Sequence, residues 1–177
     1  MTEHERRTTL VDEATLEQVE ALAKELFGGM MNLDEPIKGM NDDDIVAPDF
    51  HRMLRDPDNT LATLSEEDKV VGFALATPIG KMNPRRVAES ADTAYVYIGG
   101  IVPDRQGEGL IRHVSKDIAG KLRDQGYTFA EADCVHSGGY AAKVHKALGG
   151  AIVKWEDHPG WPETGPERFF KIDLRQT

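Results

Sequence analysis

One cysteine in 177 residues leaves no partner for an internal disulfide, so the chain suits a reducing compartment, the cytoplasm. Cys134 sits in an apolar-flanked, strand-like run and reads as a small buried hydrophobe rather than a nucleophile. No run approaches the roughly 18 apolar residues that a membrane span needs. The opening residues, MTEHERRTTLVDE, have no apolar stretch of the kind a signal peptide requires. Positive charge is also scarce. The net charge is −10, and the clustered cations are only Arg6-Arg7 and Arg85-Arg86. Nothing supplies the basic stripe that neutralises nucleic-acid phosphates. An acidic surface instead favours cationic or neutral small partners. There is no cysteine pair and no His-x-x-x-His, so no metal is expected. The Gly-x-Ser-x-Gly elbow and the Gly-x-x-x-x-Gly-Lys-(Ser/Thr) loop are missing too, which excludes the usual serine hydrolases and P-loop enzymes.

What is present is a 40 % apolar chain, long enough for one α/β domain with a real core over residues 1–177. Its organising stretch is Tyr95 to Arg112, YVYIGGIVPDRQGEGLIR. A β-branched and aromatic strand opens through Gln106, Gly107 and Gly109 into an amphipathic helix. Such a turn leaves backbone N–H groups unpaired at the positive end of a helix, which makes an anion site. Gly99 and Gly100 interrupt the strand and suggest a kink that splays it from a neighbour.

Taken in order, Arg7 to Val11 is a short candidate strand. Thr15 to Gln18 reads as a capping box for a helix through Val19, Leu22, Ala23 and Leu26, stopped by Gly28-Gly29. The acidic segment with Asp42, Asp43 and Asp44 is a solvated loop or an acceptor-binding element. Asp49 to Arg55 is a short helix. Thr60 to Leu64 and Lys69 to Pro78 form a hairpin whose second arm is nearly continuous and apolar, as a central strand should be. A polar stretch, Ile79 to Thr93, comes next. Leu110, Ile111, Val114, Ile118 and Leu122 make one helical stripe. Phe129 to His136 is a strand with Glu131 and Asp133 on one face, either ordinary paired carboxylates or candidates for a general base. Gly138-Gly139 leads into the helix AAKVHKALGG. Ile152 to Trp155 and Phe169 to Leu174 are the last strands, joined by a proline- and glycine-rich loop carrying Trp161.

Two motifs carry a family resemblance. Gln106-Gly107-Glu108-Gly109-Leu110-Ile111 resembles the (Gln/Arg)-x-x-Gly-x-(Gly/Ala) signature of the GNAT-type N-acyltransferases, with Ile111 in place of the final small residue. The run from Gly138 to Gly150 is similar to the family's Asn-x-x-Ala-x-x-Leu-Tyr-x-x-Leu-Gly-Phe, with Gly138, His145 and Gly150 replacing asparagine, tyrosine and phenylalanine. The order of elements also resembles that fold: one mixed, mostly antiparallel sheet with a splayed central strand pair, flanked by helices.

The resemblance implies transfer of an acetyl or other short acyl group from acyl-coenzyme A to a primary amine of a small acceptor. Acetyl-CoA would be a cosubstrate. Its pyrophosphate would rest on Gln106, Gly107, Glu108, Gly109, Leu110, Ile111 and Arg112, with Lys143 nearby, and its pantetheine would bond Ile101 and Val102. His145, in the family tyrosine's place, is the expected proton donor to the leaving thiolate. Asp42, Asp43 and Tyr97 are the expected acceptor contacts. A non-catalytic acyl-CoA sensor or partner subunit is the alternative. A homodimer is compatible with either reading.

Overall fold

The computed structural model describes residues 11–29, 32–35, 37–38, 46–47, 49–136, 139–160 and 165–177. The expected strand at Arg7 to Val11, the triplet Asp42 to Asp44, and Trp161 fall outside them, save for Val11 itself.

Helix α1 (Glu13–Phe27) begins earlier than the Thr15 capping box suggests. Asp12 is the cap: its carboxylate accepts from the Thr15 amide and hydroxyl, both at 2.9 Å. An ionised carboxylate facing the positive end of a helix is a better cap than a hydroxyl, and the Thr15 bonds hold Asp12 below its ordinary pKa. Gln18 is thereby released to bond elsewhere. It donates to the Asp68 carbonyl (3.2 Å) and accepts from the Val70 amide (2.8 Å), pinning α1 to the hairpin beyond α2.

Two short strands, β1 (Ile37–Lys38) and β2 (Val46–Ala47), pair antiparallel. Helix α2 (Phe50–Arg55) is capped by Asp49. The main sheet has six strands: β3 (Thr60–Glu66), β4 (Lys69–Pro78), β5 (Thr93–Ile101), β6 (Phe129–Val135), β7 (Ile152–His158) and β8 (Glu167–Asp173). Their spatial order is β3-β4-β5-β6-β8-β7, so the last strand slots between β6 and β7. Every pairing is antiparallel except β5 with β6. The stretch after β4 resolves into α3 (Ile79–Met82) and a 3₁₀ turn, Pro84–Glu89. The parallel pair β5 and β6 is joined by α4 (Ile111–Asp124), because parallel neighbours need a crossover. Helix α5 (Tyr140–Leu148) comes after β6.

The helices cover the sheet on both faces. A Cβ on Gly72 would strike Val114 of α4, whereas one on Gly100 would strike Leu26 of α1. Since Gly72 and Gly100 belong to adjacent register positions, α4 and α1 lie on opposite sides. Phe73 is fully buried on the α1–α2 side, 6.1 Å from the Phe50 ring. Leu122 and Phe170 seal the other side. Burial of such side chains contributes about 1.5–3 kcal/mol each.

Strand β5 departs from regular pairing on both of its edges. The register with β4 slips between Leu75 and Ala76, which leaves Tyr97 as the extra residue of a bulge. The pairing with β6 covers only Thr93 to Val96, against Phe129 to Ala132. Beyond Val96 the two strands part, and a groove opens between them.

Candidate active site

At the open end of the groove lies the turn after β5. Gly107 and Gly109 have φ of +94° and +82°, the left-handed region that glycine enters freely. A Cβ at either would meet no atom within 4 Å, so both face open space. Gln106 folds back and donates its side-chain amide to the Ile101 carbonyl at 3.0 Å. Arg105 bonds Glu108 (2.8 Å) and also pairs with Glu66, which ties the turn to the β3–β4 hairpin. The first backbone bonds inside the helix entrance come from the amides of Arg112 and His113. Among the described residues, the amides of Gly107, Glu108, Gly109, Leu110 and Ile111 therefore donate to no carbonyl, and Leu110 brings no side-chain cap. Several N–H groups with nothing bulky above them, at the positive end of α4, fit a pyrophosphate. Arg112 and Lys143 are exposed on α4 and α5.

Along the groove, Ile101 and Val102 are buried. The Val102 amide donates to Val71 at 2.9 Å, and the Ile101 carbonyl accepts from Gln106. From Tyr97 onward β5 has no pairing with β6. A cavity of about 90 Å³ runs beneath it, lined by Val96, Tyr97, Gly99, Asp133, Cys134 and Tyr140 among others. The Tyr140 hydroxyl donates to the Gly99 carbonyl at 3.3 Å. Burial, with Cys134 adding, pushes the Tyr140 pKa well above its usual range, so it stays a protonated donor. Burial likewise pushes the Cys134 thiol up to about 12, too high for a nucleophile at neutral pH.

On the face opposite α4 and α5, four side chains from four strands converge. The Tyr95 hydroxyl donates to Asp133 at 2.8 Å, and His158 Nε2 donates to the other Asp133 oxygen at 2.7 Å. The Gly160 amide donates to His158 Nδ1 (3.2 Å), which puts the ring proton on Nε2. Buried Glu167 lies alongside, within 4.8 Å of the other two ligand-type groups. These three could take a metal ion only if His158 gave up its Nε2 proton and the Gly160 amide turned away. Glu131, the other candidate base, is 3 % exposed and bound to Arg86 at 2.6 and 3.0 Å, with Lys171 at 3.5 Å. It is an occupied structural ion pair.

His145 does not face the groove as expected. Helix α5 turns Ala141, Val144 and Leu148 inward, while the His145 ring packs edge-on against Trp155 and Phe170 at 5.7 and 5.6 Å. Its Nδ1 accepts from Arg168 at 3.2 Å, and Arg168 stacks over Trp155. One step around a helix is about 100°, enough to send residue 145 towards β7 and β8 instead of the strand gap. Tyr140, five residues earlier, reaches the groove from the first turn.

Residues 27–149, well over half of the chain, match the acetyltransferase (GNAT) family. The chain belongs to that family. No curated protein matches its sequence, but solved GNAT structures share its fold. An N-acetyltransferase from Staphylococcus aureus Mu50 superposes with a TM-score of 0.63 at 13 % identity, covering 93 % of this chain and 95 % of the other. The polyamine N-acetyltransferase of Drosophila melanogaster, which forms N-acetylagmatine, gives 0.62 at 15 %, covering 92 % and 97 %. An aminoglycoside 6′-N-acetyltransferase complexed with coenzyme A gives 0.61 at 11 %, covering 92 % of each chain.

GNAT membership makes acetyl-CoA the family's acyl donor, and the glycine turn and groove fit it. The turn is plain in the sequence. The role of Tyr140 is not, although it stands inside the second motif, and His158 and Glu167 meet Asp133 only through the β8 insertion. Among the described residues, no helix is long and apolar enough to cross a membrane.

Proposed function

We propose that the protein transfers an acetyl group from acetyl-CoA to the primary amine of a small, cationic acceptor. The observation that carries this reading is the groove between β5 and β6. It has unpaired amides at its open end and a protonated hydroxyl, Tyr140, beside its closed end. Asp133 lines the same groove and also heads the polar cluster on the opposite face, so donor and acceptor meet there from two sides of the sheet.

The amides from Gly107 to Ile111 bind the pyrophosphate, with Arg112 and Lys143 adding charge. The pantetheine runs along the edge of β5 that β6 leaves beyond Val96, from Ile101 inward. The acceptor ammonium binds Asp133, whose carboxylate is held by Tyr95 and His158. It loses a proton to Asp133, directly or through one water. The free amine attacks the thioester carbon, a C–N bond forms, and the tetrahedral intermediate collapses with breakage of the C–S bond. Tyr140, displaced from Gly99 by the arriving coenzyme, supplies a proton to the thiolate and is reprotonated, through water, by the second proton that the attacking nitrogen sheds. Holding thioester and amine together accounts for most of the rate, since little covalent chemistry is asked of the protein.

The choice of acceptor class rests on the acidic face at Asp133 and the net charge of −10. The polyamine and aminoglycoside enzymes that share the fold are consistent with it. Thiol release from acetyl-CoA, measured against polyamines, agmatine and aminoglycosides, tests the reading. Amine-dependent release is expected. Tight binding of acetyl-CoA with no release for any amine would make the protein an acyl-CoA sensor instead.

A further inference from the structure

Where β5 and β6 rejoin, a buried hydroxyl has no partner. Three buried side-chain atoms among the described residues lack a hydrogen bond: Asn59 Oδ1, Thr77 Oγ1 and the Tyr97 hydroxyl. Only Tyr97 of these lines the groove. It is also the extra residue of the β5 bulge, and the first residue past the last β5–β6 pair, Val96 with Ala132. The gap between the two strands closes at this point. Leaving a buried hydroxyl unpaired is costly, and a native site that does so calls for an explanation. Burial alone raises the Tyr97 pKa, so the group remains an O–H donor at any working pH.

We propose that the Tyr97 hydroxyl donates a hydrogen bond to the acyl oxygen of the thioester and to the oxyanion that develops there during transfer. The assignment rests on the groove being the coenzyme site. A carbonyl oxygen is an acceptor with no donor of its own, which is the complement an unpaired O–H requires. As the carbonyl becomes tetrahedral, its oxygen gains negative charge, and a donor already in place and shielded from water strengthens without reorganising. The bulge gives a reason for the position: it breaks the strand's alternation at one residue and lets that side chain be set independently of both sheet faces. Tyr140 acts on the sulfur and Tyr97 on the oxygen, so the two hydroxyls do separate work.

The test is calorimetric titration of the wild type and Tyr97→Phe with coenzyme A and with acetyl-CoA, together with thermal melting and turnover. The substitution removes one oxygen that bonds nothing in the free protein. The melting temperature is therefore expected to hold or rise, and coenzyme A affinity to stay unchanged. The wild type is expected to prefer acetyl-CoA over coenzyme A by about 5-fold, the worth of one ordinary hydrogen bond, and the variant to lose that preference. Turnover should fall by at least about 10-fold, in the direction seen when an oxyanion donor is removed. A variant that keeps both the preference and the turnover overturns the proposal. So does one that loses stability or coenzyme A affinity, since the hydroxyl would then be structural. If the wild type binds acetyl-CoA but acetylates no amine, the transfer reading fails while the affinity comparison still judges Tyr97. If it binds neither form of the coenzyme, both readings fall together.

Discussion

At the scale of single residues, the phosphate turn depends on backbone that only glycine adopts without strain. Gly109 has φ +82° with open space above it. Gly109→Val brings a branched side chain over the unpaired amides and costs about 1–2 kcal/mol of conformational strain. Titration calorimetry should show coenzyme A affinity falling by about 10-fold or more in a variant that remains folded, since 1.4 kcal/mol is already a factor of about 10. Unchanged affinity would remove the pyrophosphate from this turn. The proton donor is decided by a pair of substitutions. Tyr140→Phe should lower kcat by about 10²-fold or more, while His145→Phe should leave kcat close to wild type. The reverse result would restore the role that the second motif suggests for His145. That motif was readable in the sequence, but its helical phase was not. Val144 rather than His145 completes the buried stripe of α5, and the difference is one step of helix rotation.

At the scale of elements, the β7–β8 hairpin is fastened by Asp157, which accepts from Arg168 at 2.6 and 3.0 Å and pairs with His136 at 3.0 Å. The Arg168 guanidinium, with His136 adding to it, holds the Asp157 carboxyl at about 2. A carboxylate whose folded pKa is depressed adds stability that is fully present above its unfolded pKa, about 3.9, and is lost as pH falls towards 2. The melting temperature of the wild type should therefore drop across that window faster than that of Asp157→Asn. The two curves should converge near pH 2. Parallel curves would mean that the pair contributes nothing to folding. Most elements were legible beforehand, because apolar runs and stripes mark strands and helices by their period. The order of the sheet was not. Slotting β8 between β6 and β7 depends on which hairpin edge meets β6, and no local pattern encodes that. His158 and Glu167 were hidden for the same reason, since both reach Asp133 only through that long-range pairing.

At the scale of the whole molecule, the acidic balance of the chain bears on encounter with the acceptor. A net charge of −10 should draw a cationic amine and raise its local concentration. The apparent KM for a polyamine should then rise as salt is added, because a Debye length near about 8 Å at physiological ionic strength screens exposed charge. The KM for acetyl-CoA, an anion approaching a chain of net charge −10, should not rise in parallel. A salt-independent polyamine KM would confine recognition to contacts inside the pocket. The central claim, that acetyl groups pass from coenzyme A in the β5–β6 groove to an amine at Asp133, is tested most directly by mass spectrometry. The acceptor is recovered after incubation with acetyl-CoA and the wild type, Tyr140→Phe or Asp133→Asn. Mono-acetylated amine formed by the wild type and sharply reduced in both variants is the predicted result. Acceptor recovered unmodified from the wild type across the amine panel, with acetyl-CoA bound and intact, would contradict it.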